Sequence, residues 1–400
     1  MTTPGINQFP APSRAVHNGI RVIMNEALAL NNPDLIRLEI GEPDFPTPPN
    51  IVEAAHRAAL AGHTRYTSNA GIPPLREALA DKIKRVNGFD VSPESIVVTN
   101  GGVEALFVAL TAIVKPGDEI LIPDPAWPNY MSIPAVMHAE TVGYTLRPEH
   151  GFLPSVAELE QLTTERTTVL MLNSPSNPVG TVFPRELLVE IAEFARRRGI
   201  WIISDECYDQ VVFDDTFVST AAVTDYERVI SVYTFSKTYA MTGWRVGYLA
   251  CPPELTETVV SLQEPIVACV NTPAQYAAIE ALTGTQEPLD MMVSAYRRRR
   301  DAAVAQFKAA GINMFCPAGA FYLWLDCQHP SMDGTDIALA LLREHGVAVG
   351  PGPAFGRTST GFIRLSLAAS DEALAEGIQR ILASGYLDGA RPETRHQLNG

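Results

Sequence analysis

Four segments place a reactive or hydrogen-bonding side chain directly after an apolar run. Ile96-Val97-Val98 leads into Thr99-Asn100-Gly101-Gly102, and Thr168-Val-Leu-Met-Leu172 leads into Asn173-Ser-Pro-Ser-Asn177-Pro-Val-Gly180. Gly199-Ile-Trp-Ile-Ile203 leads into Ser204-Asp205-Glu206-Cys207-Tyr208, and Arg228-Val-Ile-Ser-Val-Tyr233 into Thr234-Phe235-Ser236-Lys237. Each has an ordinary explanation by itself: Asn-Pro and a glycine pair make turns, an Asp caps a helix, a Lys in a turn is solvated. Their succession changes the reading. A carboxylate placed one residue beyond Ile-Ile must be solvated or partnered. Backbone amides of a Gly pair that opens a helix can take an anion. An Asn, an Asp, a Tyr and a Lys at successive strand ends, then Arg245, gather amide, carboxylate, phenol, amine and guanidinium along one edge.

The elements that must position these groups are legible around them. The apolar runs, with Glu119-Ile-Leu-Ile122 and Val246-Gly-Tyr-Leu-Ala250, are mostly continuous rather than alternating. Strands buried on both faces have that composition, as in a mostly parallel sheet covered by helices. A helical pattern runs through Ala105, Leu106, Val108, Ala109 and Ile113 until Lys115-Pro116-Gly117-Asp118 stops it, and 186–198 suits a crossover helix. In such open sheets, ligands bind at the carboxyl ends of the strands. Near Pro288 the texture changes. A long charged helix is expected through Tyr296-Arg-Arg-Arg-Arg300-Asp301 into Phe307, then short strands near 321–325, 347–349 and 362–367, a helix from Asp371, and a polar tail at 391–400. The expected division is an N-terminal arm joined to the smaller domain at 1–50, a large α/β domain at 51–287 and a small α/β domain at 288–400. The four-Arg run at 297–300 is expected to be a solvated helix face.

The segment Ser236-Lys237-Thr-Tyr-Ala-Met-Thr-Gly-Trp-Arg245-Val-Gly-Tyr248 resembles the lysine signature of the class I/II aminotransferases, the fold-type-I enzymes that use pyridoxal 5'-phosphate (PLP). Gly41-Glu-Pro-Asp-Phe-Pro-Thr47, Asn173 to Gly180, Ser204 to Tyr208 and Gly361-Phe-Ile-Arg364-Leu-Ser366 follow the same family in the same order. The resemblance implies a large domain with a mostly parallel seven-stranded sheet, a smaller α/β domain, and PLP as cofactor. Lys237 would form a Schiff base with the cofactor and then shuttle a proton, tasks that need a flexible primary amine. Asp205 would face the pyridine nitrogen and keep it protonated. Asn177 and Tyr208 would bond the ring oxygen, and Trp127 would stack on the ring. Gly101, Gly102, Val103, Thr234, Ser236 and Arg245 would surround the phosphate. Tyr66 of a neighbouring copy would complete that cup, which implies a homodimer. Gly41 and Arg364 would hold the substrate carboxylate, alongside Asn177.

Composition narrows the remaining options. Acidic residues outnumber basic ones 45 to 30, for a net charge of −15. A surface that acidic repels phosphate backbones and anionic lipid, so neither nucleic acid nor membrane is an expected partner. The five cysteines form no CxxC pair, which argues against a disulfide framework or zinc site and for a reducing, cytoplasmic setting. No metal is expected. Residues 1–15 lack the apolar stretch of a secretory leader. The Gly101-Gly102-Val-Glu-Ala-Leu segment lacks the spacing of a dinucleotide fingerprint.

Substrate choice is less constrained. Many bacterial aspartate aminotransferases of this subgroup carry a Lys where this chain has Val103, and there it takes a distal carboxylate. The apolar residue suggests a neutral amino donor, aliphatic or aromatic, with an aspartate-like donor also open and 2-oxoglutarate as an acceptor. Other PLP chemistry on the same scaffold, as in β-lyases, aminocyclopropane-carboxylate-synthase-like eliminases or amino-acid oxidases, is the alternative.

Overall fold

The computed structural model describes residues 19–388. The expected tail at 391–400 and the segment at 1–15 lie outside that range. A two-residue strand β1 (Ile36–Arg37) precedes the main sheet, built from β2 (Ile96–Thr99), β3 (Glu119–Asp124), β4 (Glu140–Thr145), β5 (Thr167–Asn173), β6 (Trp201–Asp205), β7 (Val229–Thr234) and β8 (Gly247–Ala250). The seven strands run in the order β2-β8-β7-β6-β5-β3-β4. β8 pairs antiparallel with both its neighbours, while the remaining pairs are parallel.

The continuous apolar runs have the expected cause. Along β5, Val169 and Met171 join one core cluster while Leu170 and Leu172 join another on the opposite face. Side chains alternate across a strand, so a strand covered on both faces must be apolar at every position. Helices Gly102–Ile113 and Arg185–Arg198 supply part of that cover. Strand β4 carries no such run. It lies at the sheet edge and leaves Glu140 and Gly143 exposed, so Glu140-Thr-Val-Gly-Tyr-Thr145 escapes a reading that looks for apolar continuity.

The C-terminal residues build a separate antiparallel sheet. It contains β9 (Tyr322–Asp326), β11 (Gly350–Pro351) and β12 (Phe362–Ser366), in the order β11-β12-β9. The intervening β10 (Val347–Ala348) pairs instead with β1, so residues just before Gly41 pack with this C-terminal part. The helix Glu287–Ala309 carries the four arginines and corrects one expectation. Arg297 and Arg298 are exposed, but Arg299 and Arg300 are buried. A helix turns about 100° per residue, so four consecutive side chains cannot share one face. Arg299 is compensated by Asp44 and Asp371, each at 2.8 Å, and Arg300 by Asp214 and Asp301. Among the described residues, no helix is long and apolar enough to cross a membrane.

Candidate active site

Parallel pairing puts several strand ends at one edge. Asn173 closes β5 directly beside Asp205, which closes β6. Gly247 opens β8 between Thr99 of β2 and Thr234 of β7, which brings Arg245 to the same edge. A cavity of about 220 Å³ opens there, lined by Gly41, Trp127, Asn177, Asp205, Tyr208, Lys237 and Arg364 among others. These seven predicted residues, scattered from position 41 to 364, therefore share one space.

The groups in the cavity are held mainly by neutral partners. Asp205 is buried, accepts the Tyr130 hydroxyl at 2.6 Å and the Cys207 N–H at 3.1 Å, and forms no ion pair among the described residues. Burial holds its carboxyl above the usual carboxylate range, against those two hydrogen bonds. Lys237 donates from Nζ to the Gly41 carbonyl at 2.6 Å, and burial lowers its pKa to about 8. Arg364 donates to the Glu39 carbonyl at 2.6 Å and to Asn177 Oδ1 at 3.0 Å, while its buried Nε has no partner. Its guanidinium lies over the rings of Tyr322 and Phe355. Burial lowers the Arg364 pKa. Tyr208 and Tyr322 share a hydroxyl–hydroxyl bond of 2.8 Å.

A second group of predicted residues adjoins the cavity without lining it. Helix Gly102–Ile113 starts at this edge, with Gly101 as its N-cap and Val103 partly exposed in its first turn. Arg245 donates to the carbonyls of Asn100 at 3.2 Å and Thr242 at 2.9 Å, and Thr234 Oγ1 bonds Ser236 Oγ at 2.9 Å. Gly247 permits the close packing, since a Cβ there would lie 2.6 Å from the Gly101 carbonyl carbon and 2.7 Å from Gly102 N. Tyr66 stands apart from this group, 89% exposed. Tyr130, Asn173 and Tyr322 line the cavity without having been singled out. Tyr130 lies only three residues after Trp127, so the signal for it lay within reach.

Residues 33–381 match the family model "Aminotransferase class I and II". The chain belongs to that family. A probable aspartate/prephenate aminotransferase of Aquifex aeolicus is 44% identical over 357 residues, covering 87% of this chain and 90% of the relative. The structure is similar to that of aspartate aminotransferase from Thermus thermophilus with maleate (TM-score 0.87, 38% identity, 91% of this chain and 96% of that one). It is also similar to an aromatic aminotransferase from Pyrococcus horikoshii (TM-score 0.86, 36% identity, 90% and 98%).

The protein is a PLP-dependent aminotransferase. Its residues suit that cofactor on chemical grounds. A buried carboxylate without an ion pair suits a pyridinium, a primary amine of lowered pKa suits an aldehyde, and a helix N-terminus beside Arg245 suits a phosphate. The orphaned Arg364 Nε suits a carboxylate.

Proposed function

We propose that this aminotransferase takes its amino group from an L-amino acid with a neutral side chain, aliphatic or aromatic, and passes it to a 2-oxo acid such as 2-oxoglutarate. The cavity wall carries this reading. Ile20, Met24 and Ile40 line it, and among the described residues Lys237 and Arg364 are its only cationic side chains. Both have tasks in the reaction, at the amine and at the α-carboxylate. Glu39 adds no positive charge to that wall, and its carboxylate takes the Arg37 Nε–H at 2.6 Å. A second substrate carboxylate buried here would lack a partner, at a cost of several kcal/mol, so 2-oxoglutarate as acceptor requires a further Arg or Lys that reaches the cavity from elsewhere, whereas a neutral donor does not. The names of the relatives favour a second reading, an aspartate-like donor.

Bound PLP supplies a sink for the electrons released when the substrate α C–H bond breaks. Lys237 would hold the cofactor through Nζ, and the same amine would take the α-proton. Its low pKa keeps a useful fraction of the amine neutral near pH 8. Asp205 holds a proton on the pyridine nitrogen, with Tyr130 and Cys207 orienting its two oxygens. Asn177 and Tyr208 would hold the ring oxygen, and Trp127 would support the ring. Gly101, Gly102, Val103, Thr234, Ser236 and Arg245 hold the phosphate. Gly41, Asn177 and Arg364 would hold the α-carboxylate and so orient the α-carbon for proton removal rather than decarboxylation.

A homodimer belongs to the same proposal. The exposed Tyr66 reaches a neighbouring copy's phosphate group, which accounts for an aromatic ring left in solvent. The arm at 1–50, large domain at 51–287 and small domain at 288–400 are the division we adopt, supported by the β1–β10 pairing. The free cysteines favour the cytoplasm. A stopped-flow screen of single amino acids against the PLP form tests the substrate. Fast conversion to the pyridoxamine form is expected with neutral donors. Conversion with aspartate or glutamate alone would overturn this reading in favour of the second.

A further inference from the structure

Asp124 ends β3 and sits where the main sheet meets the C-terminal part. Its Oδ2 accepts the Arg357 N–H at 3.1 Å, and its Oδ1 accepts the Thr358 N–H at 3.3 Å and the Thr358 hydroxyl at 2.7 Å. Two residues further on, the Ala126 N–H donates to the Phe355 carbonyl at 2.7 Å. Four hydrogen bonds thus tie the turn after β3 to the stretch 355–358. Gly356 fits this contact with φ 146°, and a Cβ there would run into Asp124 Oδ1.

Each side of the tie leads to one half of the reaction. Phe355 is fully buried, with its ring 4.9 Å from the Arg364 guanidinium. On the other side the chain passes directly into Trp127 and Tyr130, whose rings pack edge to face at 5.7 Å. Tyr130 in turn donates to Asp205. The cofactor face and the carboxylate clamp belong to different sheets; the Asn177–Arg364 and Tyr208–Tyr322 hydrogen bonds join them on the side of Tyr208, and the Asp124 tie joins them on the side of Trp127.

We propose that Asp124 is a positioning residue for transamination: its carboxylate holds the Phe355 wall of Arg364 in register with Trp127 and Tyr130. This rests on the reading of Arg364 as the carboxylate clamp. Asp124 is not among the residues that line the cavity. It keeps the Arg364 clamp where the substrate's α-carboxylate would meet it, so its loss weakens substrate binding more than the chemical step.

The test compares PLP-loaded Asp124→Ala, Asp124→Asn and Thr358→Val with wild type, and Arg364→Lys as a control. Asp124→Ala should raise KM for both amino acid and 2-oxo acid about tenfold while kcat changes much less. Asp124→Asn keeps an acceptor for Thr358 and should recover most of the loss. Thr358→Val removes one surface hydroxyl and should raise both KM values about twofold to threefold. PLP affinity, read from tryptophan fluorescence quenching, should stay near wild type in all three. Wild-type KM in Asp124→Ala overturns the proposal. So does a KM rise matched by equal loss of PLP affinity and no recovery with Asn, which marks general loosening. If Asp124→Ala fails to fold, unchanged KM in Thr358→Val overturns it alone. An Arg364→Lys enzyme with wild-type KM overturns the clamp reading and this proposal together. Impaired Arg364→Lys beside normal Asp124 variants overturns only the proposal.

Discussion

Two pairs of interior cations are treated in opposite ways. Lys82 is buried against Asp209, donates to Asn87 at 2.8 Å and lies over the Tyr233 ring. Arg299 is buried between Asp44 and Asp371. Burial opposes its charge, yet the hydrogen bonds it donates to both carboxylates outweigh it and raise the pKa. Lys237 and Arg364 instead donate to carbonyl oxygens, and burial lowers both pKa values. A buried charge without an opposite partner destabilises the fold by several kcal/mol. That cost is tolerable where a ligand later offsets it. The compensated pair serves stability, and the uncompensated pair faces the cavity.

The contrast can be broken from either side, and the largest effect is expected at Lys237. Lys237→Ala should lower kcat by about 10⁴-fold or more, since one amine is both anchor and proton carrier. The visible absorbance of the amine-anchored cofactor should vanish with it. Retention of an unaltered spectrum would remove Lys237 from the mechanism. Next comes a stability effect. Lys82→Ala leaves Asp209 buried without its cation and should cost about 3–5 kcal/mol in urea unfolding. The fraction still folded should turn over normally, and a large loss of kcat/KM would erase the distinction drawn between the two lysines. Arg364→Lys should raise KM for amino acid and 2-oxo acid about 10²-fold, because a single ammonium cannot replace the planar fork. Steady-state kinetics with both substrates would show it.

The smallest effect concerns pH. In cofactor-free protein the Lys237 pKa is lowered from 10.5 to about 8. Between those values the unfolded chain binds more protons than the folded one, so stability rises with pH across that window. Below pH 8 the penalty for charging the buried amine is fully present. Replacing Lys237 by Met should remove this rise. Equal pH slopes in thermal unfolding of wild type and Lys237→Met would show that the amine is not desolvated as described.

The sequence alone was informative wherever chemistry is local. Asn177, Asp205 and Lys237 each follow a strand within a few residues, so strand pattern and loop composition locate them together. Parallel pairing then brings such ends to one edge, whatever the details of packing. The same logic exposed β5, β6 and β7 and passed over β4, whose half-exposed edge position leaves no continuous apolar run. The four-Arg run shows the limit from another side. Residue type could not say which two arginines point inward.

What the sequence determined by itself was the set of reactive groups, their order along the chain and the cofactor they suit, because strand, turn and signature are properties of neighbouring residues. Only the tertiary structure decided which cations are neutralised, that Tyr130 orients Asp205, and that Asp124 meets Thr358. Those contacts join residues far apart in sequence, and they depend on how separately formed sheets pack against each other. A charge is compensated or left for a ligand only at that stage, when water has been removed from around it.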